Sequence, residues 1–139
     1  MFLLALLFSA VLVPDLRILH ALQALIYVAV ILFAGRNSAL VYGAASSVSL
    51  FWTAMGLFVT HLIQTGAHEL LSLVTTGHVR EVVPMTVTLG GIGHLVLLCA
   101  SVFAVTRFDR EAHKWWKFAG GGALSMAYFA LLIALFQPH

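Results

Sequence analysis

Charged side chains are scarce in this chain of 139 residues. Asp, Glu, Lys and Arg together make up 9% of the sequence, while hydrophobic residues make up 62% and the mean hydropathy is +1.05. A soluble domain carries about 25% charged residues, and it has no way to hide this much apolar surface from water. The composition therefore excludes an ordinary soluble domain and predicts an integral membrane protein, whose apolar surface is covered by the lipid bilayer.

Other features of soluble and catalytic proteins are also missing. Cysteine occurs only at Cys99, inside an apolar run, which excludes an internal disulfide and a cysteine-based metal cluster. The Lys and Arg residues are scattered at the ends of apolar runs rather than gathered into a stripe, so nucleic acid is not an expected partner. No phosphate-binding loop, dinucleotide fingerprint, nucleophile elbow or HExxH motif occurs. These absences predict one membrane domain over residues 1–139, without independent catalytic activity.

Apolar runs separated by short polar connections dominate the sequence and predict an all-α bundle of four or five transmembrane helices. The count is four or five because the first run would reach only about 20 Å as a helix, against a hydrocarbon core of ~30 Å. One further stretch is less apolar, and we expect it to lie in the membrane interface. The apolar runs are residues 1–13, 18–35, 38–64, 83–108 and 115–136, and the interfacial helix is residues 67–75.

Small residues inside these runs predict close packing between helices, because they let membrane helices approach one another. For the glycines, a flat cofactor lying against a helix surface without side chains is the alternative interpretation. The residues concerned are Ser46, Ser47, Ser49 and the clusters Gly90-Gly91-Ile92-Gly93 and Gly120-Gly121-Gly122.

The distribution of Lys and Arg predicts the orientation in the membrane. Five of the seven basic residues fall in one set of connections, and Arg17 and Arg80 fall in the opposite set. Because cytoplasmic loops carry the excess of basic residues, we expect the connection 109–114 in the cytoplasm and the region 65–80 outside, in the plasma membrane of a bacterium or archaeon. The five are Arg36, Arg107, Arg110, Lys114 and Lys117.

Two histidines and two methionines are expected at similar depths in the membrane. At 1.5 Å per residue from the nearest cytoplasmic connection, His20 lies about 24 Å up and His94 about 20 Å up, with Met55 and Met126 at about 28 and 24 Å. Imidazole and thioether groups ligate haem iron and copper(I). These residues are therefore candidate ligands for haem b or copper, with His20 and His94 as the cofactor-binding pair. Ordinary packing, with His94 hydrogen-bonded to a neighbouring group, is the alternative.

A second group of histidines is expected at the outer face. His61 and His68 are seven residues apart and share a face if one helix continues past Gly66, and Glu69 stands beside them. An outer metal site, or a site for a quinone headgroup, is one hypothesis for this group and for His78. The other is that these are solvated residues of the interface.

Three motifs of the second half follow one another in a recognisable order. The first span ends in residues 58–61 (FVTH), a later span contains residues 93–96 (GHLV), and residues 108–116 (FDREAHKWW) open the last apolar run. Over residues 41–136 these motifs resemble the CtaM/YozB-like family, small four-helix membrane proteins tied to cytochrome oxidase assembly. The chain departs from that family at residues 37–40, which read NSAL where the family has a His and a basic residue.

The resemblance implies a respiratory role with His61, His94 and His113 as the functional histidines. Three functions remain open at this point. The first is an accessory or assembly subunit of a respiratory, cytochrome oxidase-type complex, in which the histidines handle copper or haem. The second is a haem b-binding membrane anchor that passes electrons between quinone and a partner subunit. The third is a purely structural subunit of a larger membrane complex, and in each case other membrane-protein subunits are the expected partners.

Overall fold

The computed structural model describes residues 2–12, 17–34, 38–107 and 113–136, and all regular structure within these ranges is helical. A π-helical turn, Met55–Val59, directly continues the third helix. The helices are α1 (Phe2–Leu12), α2 (Arg17–Ala34), α3 (Ala39–Ala54), α4 (Leu62–Thr76), α5 (Val82–Thr106) and α6 (Lys114–Phe136).

Four of the described helices are long and apolar enough to cross a bilayer. They are α2, α3 together with its π-helical turn, α5 and α6. By contrast, α1 has 11 residues and α4 has 15, so they reach about 16 and 22 Å, short of a ~30 Å hydrocarbon core. The prediction of an all-α membrane bundle is confirmed, and the short first run corresponds to α1.

The helices α3 and α6 run side by side in the same direction. Near their starts, a β-carbon on Gly43 would collide with the Phe118 carbonyl. Further along, the rings of Phe51 and Phe129 stack with their centroids 5.9 Å apart. Because residue numbers rise together on both helices, α3 and α6 are parallel, and both begin at the same end of the bundle.

The second glycine cluster serves this close packing, as expected, although not through every member. Gly121 lies against the backbone of Leu40, and Gly122 lies against the hydroxyl of Ser47, so a side chain at either position would collide with α3. A β-carbon on Gly120 would meet nothing within 4 Å. The packing prediction is therefore confirmed for two of the three glycines, and it gives a matched pair of adjacent positions with opposite environments.

The third apolar run ends earlier than its composition predicts. Helical structure stops after the π-helical turn Met55–Val59. The Thr60 hydroxyl donates a hydrogen bond of 3.3 Å to the carbonyl of the first residue of that turn. The next residue, His61, adopts the left-handed backbone conformation with φ 55°. A residue in the left-handed conformation commonly ends a helix. The predicted continuous run 38–64 is therefore two helices, and α4 begins at Leu62 rather than at the predicted start of the interfacial helix.

The helices α4 and α5 form an antiparallel hairpin. The Thr88 hydroxyl donates to the Ile63 carbonyl at 3.0 Å, and the Arg80 backbone N–H donates to the Glu69 carboxylate at 2.8 Å. Residue numbers rise along α4 while those of the contacting residues, Thr88 and Arg80, fall, so α4 and α5 are antiparallel. Gly77, with φ 73°, ends α4, and its backbone N–H donates a hydrogen bond to the Leu73 carbonyl in the last turn of the helix. An interfacial position for this hairpin stays a prediction.

The side chain of Ile63 also sets the level of α3 against α5, since it lies between Gly56 of one helix and Gly91 of the other. From this point, most of α3 extends towards its N-terminal residue Ala39, and most of α5 extends towards its C-terminal residue Thr106. These two lengths of helix pack against each other, so α3 and α5 are antiparallel. We refer to the meeting of these two glycines on Ile63 as the glycine contact.

One end of the bundle therefore carries the start of α3, the start of α6 and the end of α5. Arg107, Lys114 and Lys117 lie at this end, which we call the basic end. The other two basic residues of the set, Arg36 and Arg110, lie outside the described residues. The chain is thus an integral membrane protein by its four candidate spans, and the cytoplasmic position of the basic end stays a prediction.

The remaining helices, α1 and α2, pack together, and α1 also contacts α5. The Arg17 guanidinium donates from Nε to the Ala10 carbonyl at 3.0 Å, which ties the start of α2 to the end of α1. A core cluster from four helices then holds the bundle together. Its buried members are Leu6, Tyr27, Val48, Phe129 and Leu132.

Candidate functional site

A histidine and a tyrosine meet in the centre of the bundle. His94 of α5 is 3% exposed and Tyr27 of α2 is 5% exposed. The Tyr27 hydroxyl and Nε2 of His94 share a hydrogen bond of 2.7 Å, with the ring centroids 5.7 Å apart. This bond joins polar groups of two helices that are far apart in sequence, so we refer to it as the Tyr27–His94 pair.

The surroundings of the pair are apolar, because Tyr27 belongs to the core cluster of leucine, valine and phenylalanine side chains. A buried polar group left without its partner costs about 1–3 kcal/mol, and lipid chains offer it no hydrogen bond. The pair therefore acts as a clamp between α2 and α5. A second polar link holds α2 to α6, where the Tyr128 hydroxyl donates to the Leu22 carbonyl at 2.6 Å.

Four hydroxyl side chains continue from this pair along the bundle. Ser46, Ser49 and Thr53 succeed one another at intervals of three and four residues, which places them on one face of α3, and Ser101 belongs to α5. Their exposures lie between 0 and 8%. Their hydroxyl oxygens have no hydrogen-bond partner among the described residues. We call these four residues and His94 the polar seam.

The polar seam faces the contact between α3 and α5. Positions of α3 that touch α6 include Gly43 and Ser47, and at 100° per residue the seam positions lie on the other side of the helix. They share their side with Gly56, which lies in the glycine contact with α5. On α5, Ser101 is seven residues from His94, which places both on one face of the helix, and α5 packs against α3.

Members of the seam on the two helices lie at matching levels. Thr53 and His94 are each three residues from the glycine contact, which is about 4.5 Å along the axis. Ser46 and Ser101 are each ten residues from it, about 15 Å along the axis. The seam therefore runs from the level of the Tyr27–His94 pair towards the basic end.

The two predicted cofactor histidines have different surroundings in the structure. His94 meets Tyr27, whereas His20 lies seven residues earlier on α2, about 10.5 Å further along that helix. Nδ1 of His20 is buried without a hydrogen-bond partner among the described residues. Nε2 of His94, a nitrogen that would ligate an iron, is hydrogen-bonded to the Tyr27 hydroxyl instead. Haem binding by the two residues stays a prediction without support from their positions.

The two methionines of the predicted layer also separate. Met55 precedes Gly56 of the glycine contact and lies within about 3 Å of the level of His94. Met126 is 37% exposed on the outer surface of α6. Among the described residues, no group of three His, Cys, Asp or Glu side chains is close enough to hold a metal ion. The exposed position of Met126 separates it from the buried His94, and copper binding by these residues stays a prediction.

The outer histidines are all at the surface. His61, His68 and His78 are exposed, and His61 precedes α4 in a left-handed conformation rather than continuing the face of His68. The Glu69 carboxylate accepts the N–H of Arg80, so it serves the α4–α5 hairpin. The outer site for a metal or a quinone headgroup stays a prediction, and the exposed positions favour solvated side chains.

The three histidines of the family motifs lie at three different heights. His61 follows the far end of α3, His94 lies in the centre, and His113 precedes α6 at the basic end with φ 57°. From His113 to the level of His61 is the length of a membrane span, about 30 Å. Any function that these residues share therefore involves three separate places in the bundle.

An apolar groove with a volume of about 490 Å³ lies between α2, α3 and α6. Two polar side chains border it, and both direct their hydroxyls to carbonyls: Ser125 to Gly122 at 2.9 Å and Tyr128 to Leu22 at 2.6 Å. The lining is otherwise hydrocarbon, which suits the acyl chain of a bilayer lipid rather than a polar ligand.

Two features of the site were not anticipated from sequence. Tyr27 gave no signal except its position deep within a span, where an aromatic hydroxyl is costly without a partner. The serines of α3 were expected to serve packing, while their spacing with Thr53 at intervals of three and four residues already indicated a polar face.

Comparisons with protein-family models, with characterised proteins and with solved structures find no match to the chain.

Proposed function

We propose that this chain is an accessory or assembly subunit of a respiratory membrane complex of the cytochrome oxidase type. The observation that carries the proposal is the 2.7 Å hydrogen bond between Tyr27 and His94 in the centre of the bundle. An ionisable residue inside a span is expensive and marks a functional position by default. His94 is also the central histidine of the motifs that resemble the CtaM/YozB-like family.

The architecture supports a role in partnership with other subunits. The described residues consist of four candidate spans, two shorter helices and brief connections. Outside the bundle centre they offer exposed apolar side chains, such as Leu32, Val96 and Leu124, that suit lipid or neighbouring spans. A bundle of this kind has the surface for assembly within a membrane.

A purely structural subunit is the second candidate function. It is favoured by the use of the imidazole within the chain, since Tyr27 already occupies Nε2 of His94. The haem b-binding anchor is less well supported, because Nε2 of His94 is hydrogen-bonded to Tyr27. No step of the proposed function depends on copper or haem.

The experiment compares membranes with and without the chain. Deleting the gene in its source organism should lower oxygen consumption by the terminal oxidase, together with the amount of assembled oxidase on native gels. Expression of the wild-type chain should restore both. His94→Leu should fail to restore them while accumulating in the membrane, and His68→Leu, at an exposed position, should restore both.

Two results would contradict the proposal. Normal oxidase content and oxygen consumption after deletion would exclude an accessory or assembly role in that complex. Full restoration by His94→Leu would leave the chain as a structural subunit, in which the imidazole has no function beyond packing. An absorption spectrum of the purified chain with its partners adds an independent measurement, since a Soret band would instead support the haem anchor.

A further inference from the structure

We propose that the polar seam is a proton-transfer path, in which water held between the hydroxyls links the Tyr27–His94 pair to the basic end of the bundle. The path is a property of this chain alone. Its use by a partner subunit would rest on the proposed function, whereas its existence does not.

The spacing of the seam suits bridging water molecules. Ser46 and Ser49 are about 4.5 Å apart along the axis of α3, and Ser49 and Thr53 about 6 Å apart. A water that bonds two hydroxyls at about 2.8 Å each spans up to about 5.6 Å. One water therefore spans the gap between Ser46 and Ser49, and two waters span the longer gap between Ser49 and Thr53. These waters give each buried hydroxyl the partner that the described protein atoms do not supply.

The chemistry of the seam is that of a hydrogen-bonded relay. A serine or threonine hydroxyl is both a donor and an acceptor, so it takes a proton from the water on one side and releases its own to the water on the other. Each hydroxyl and each water ends with the number of protons with which it began. His94, level with Thr53, receives the proton on its imidazole, a group that both accepts and releases protons.

The two ends of the seam differ. At the level of the glycine contact, Ile63 fills the space between Gly56 and Gly91, which closes the path just above His94. In the other direction, Ser101 is six residues from Arg107, about 9 Å from the basic end. Val105 is fully buried on that stretch, so this last step opens only when the end of α5 loosens locally, and the path is not an open pore.

Hydrogen–deuterium exchange at the C2 position of His94 tests this path. That exchange requires a deuteron on the ring and a base derived from solvent to remove the C2 proton, so it is slow for an imidazole without access to water. We would incubate the purified chain in lipid nanodiscs with D₂O and quantify each histidine by mass spectrometry. The chemically denatured chain gives the rate for full access.

In the wild type we expect His94 to exchange measurably, at a rate within about a hundredfold of the denatured chain, despite its 3% exposure. Ser49→Ala combined with Thr53→Val removes two hydroxyls with little change in volume and should slow the exchange at His94 by about tenfold. Ser125→Ala is the matched control, because Ser125 is 1% exposed and bonds only within α6, to the Gly122 carbonyl. It should leave the rate unchanged.

Each other outcome overturns the path. No exchange at His94 in the wild type, while the exposed His61 exchanges fully, would show that water does not reach the pair. An equal rate in the wild type and the double variant would show that the seam hydroxyls do not carry the protons. Equal slowing by Ser125→Ala would trace the effect to general packing. Since the assay contains no partner, these results stand whether or not the deletion experiment supports an oxidase role.

Discussion

Replacing Tyr27 by phenylalanine would remove one hydroxyl from the core and leave the ring in its place. Nε2 of His94 would lose a hydrogen bond of 2.7 Å in the centre of the bundle, where the core cluster around Tyr27 is apolar. Buried groups left unpaired cost about 1–3 kcal/mol, and hydrogen bonds between membrane helices average ~0.6 kcal/mol with a maximum near 1.7. We therefore expect Tyr27→Phe to lower the unfolding free energy by about 1–2 kcal/mol.

The assay is a double-mutant cycle of Tyr27→Phe and His94→Leu, with unfolding by sodium dodecyl sulfate in mixed detergent micelles. The coupling energy between the two changes should fall at about 0.6–1.7 kcal/mol. Tyr27→Phe paired with His68→Leu is the control cycle, because His68 is exposed on α4, and its coupling should be within about 0.5 kcal/mol of zero. A coupling equally close to zero for the first pair would refute the clamp between α2 and α5.

Three further changes test the packing, the orientation and the helix break. Gly121→Leu should lower the unfolding free energy by about 2–3 kcal/mol, because Gly121 lies against the backbone of α3. Gly120→Leu should change the unfolding free energy little, because a side chain there meets nothing within 4 Å. Equal effects of the two substitutions in a detergent unfolding assay would contradict this packing. A cysteine in place of Lys117, in a Cys99→Ser background, should resist a membrane-impermeant thiol reagent in intact cells, and ready labelling would reverse the orientation. His61→Gly should raise the unfolding free energy by about 1 kcal/mol, because φ 55° strains a residue with a side chain; a loss of oxidase activity in the same variant would instead assign His61 a function.

The membrane bundle was predictable because its signal is summed over many residues. An apolar run of about twenty residues is enough to identify a span, and misjudging a few positions changes little. The boundary within residues 38–64 was not predictable in the same way. Both sides of the break are apolar, and the break depends on the backbone of Thr60 and His61 together with the packing of α4 along α5. Composition carries no information on either contact.

For α1, too, the sequence predicted the length of the helix but not its packing contacts. Its short length was evident from sequence, while its role was not. Leu6 belongs to the same core cluster as Tyr27, so the short helix contributes to the core of the bundle. An estimate based on helix length answers whether a segment crosses the membrane, but it leaves open what the segment packs against.

The partner of His94 was missed because helix heights locate backbones rather than side-chain tips. By distance from the basic end, Tyr27 lies about 13.5 Å up and His94 about 20 Å up, and this difference made His20 the better match by height. Side chains in a helix lean towards its N-terminus. For α2 that direction leads away from the basic end, so the long side chain of Tyr27 carries its hydroxyl up to the imidazole. In a membrane bundle, an aromatic hydroxyl one turn below a histidine is therefore a stronger candidate partner than a second histidine at equal backbone height.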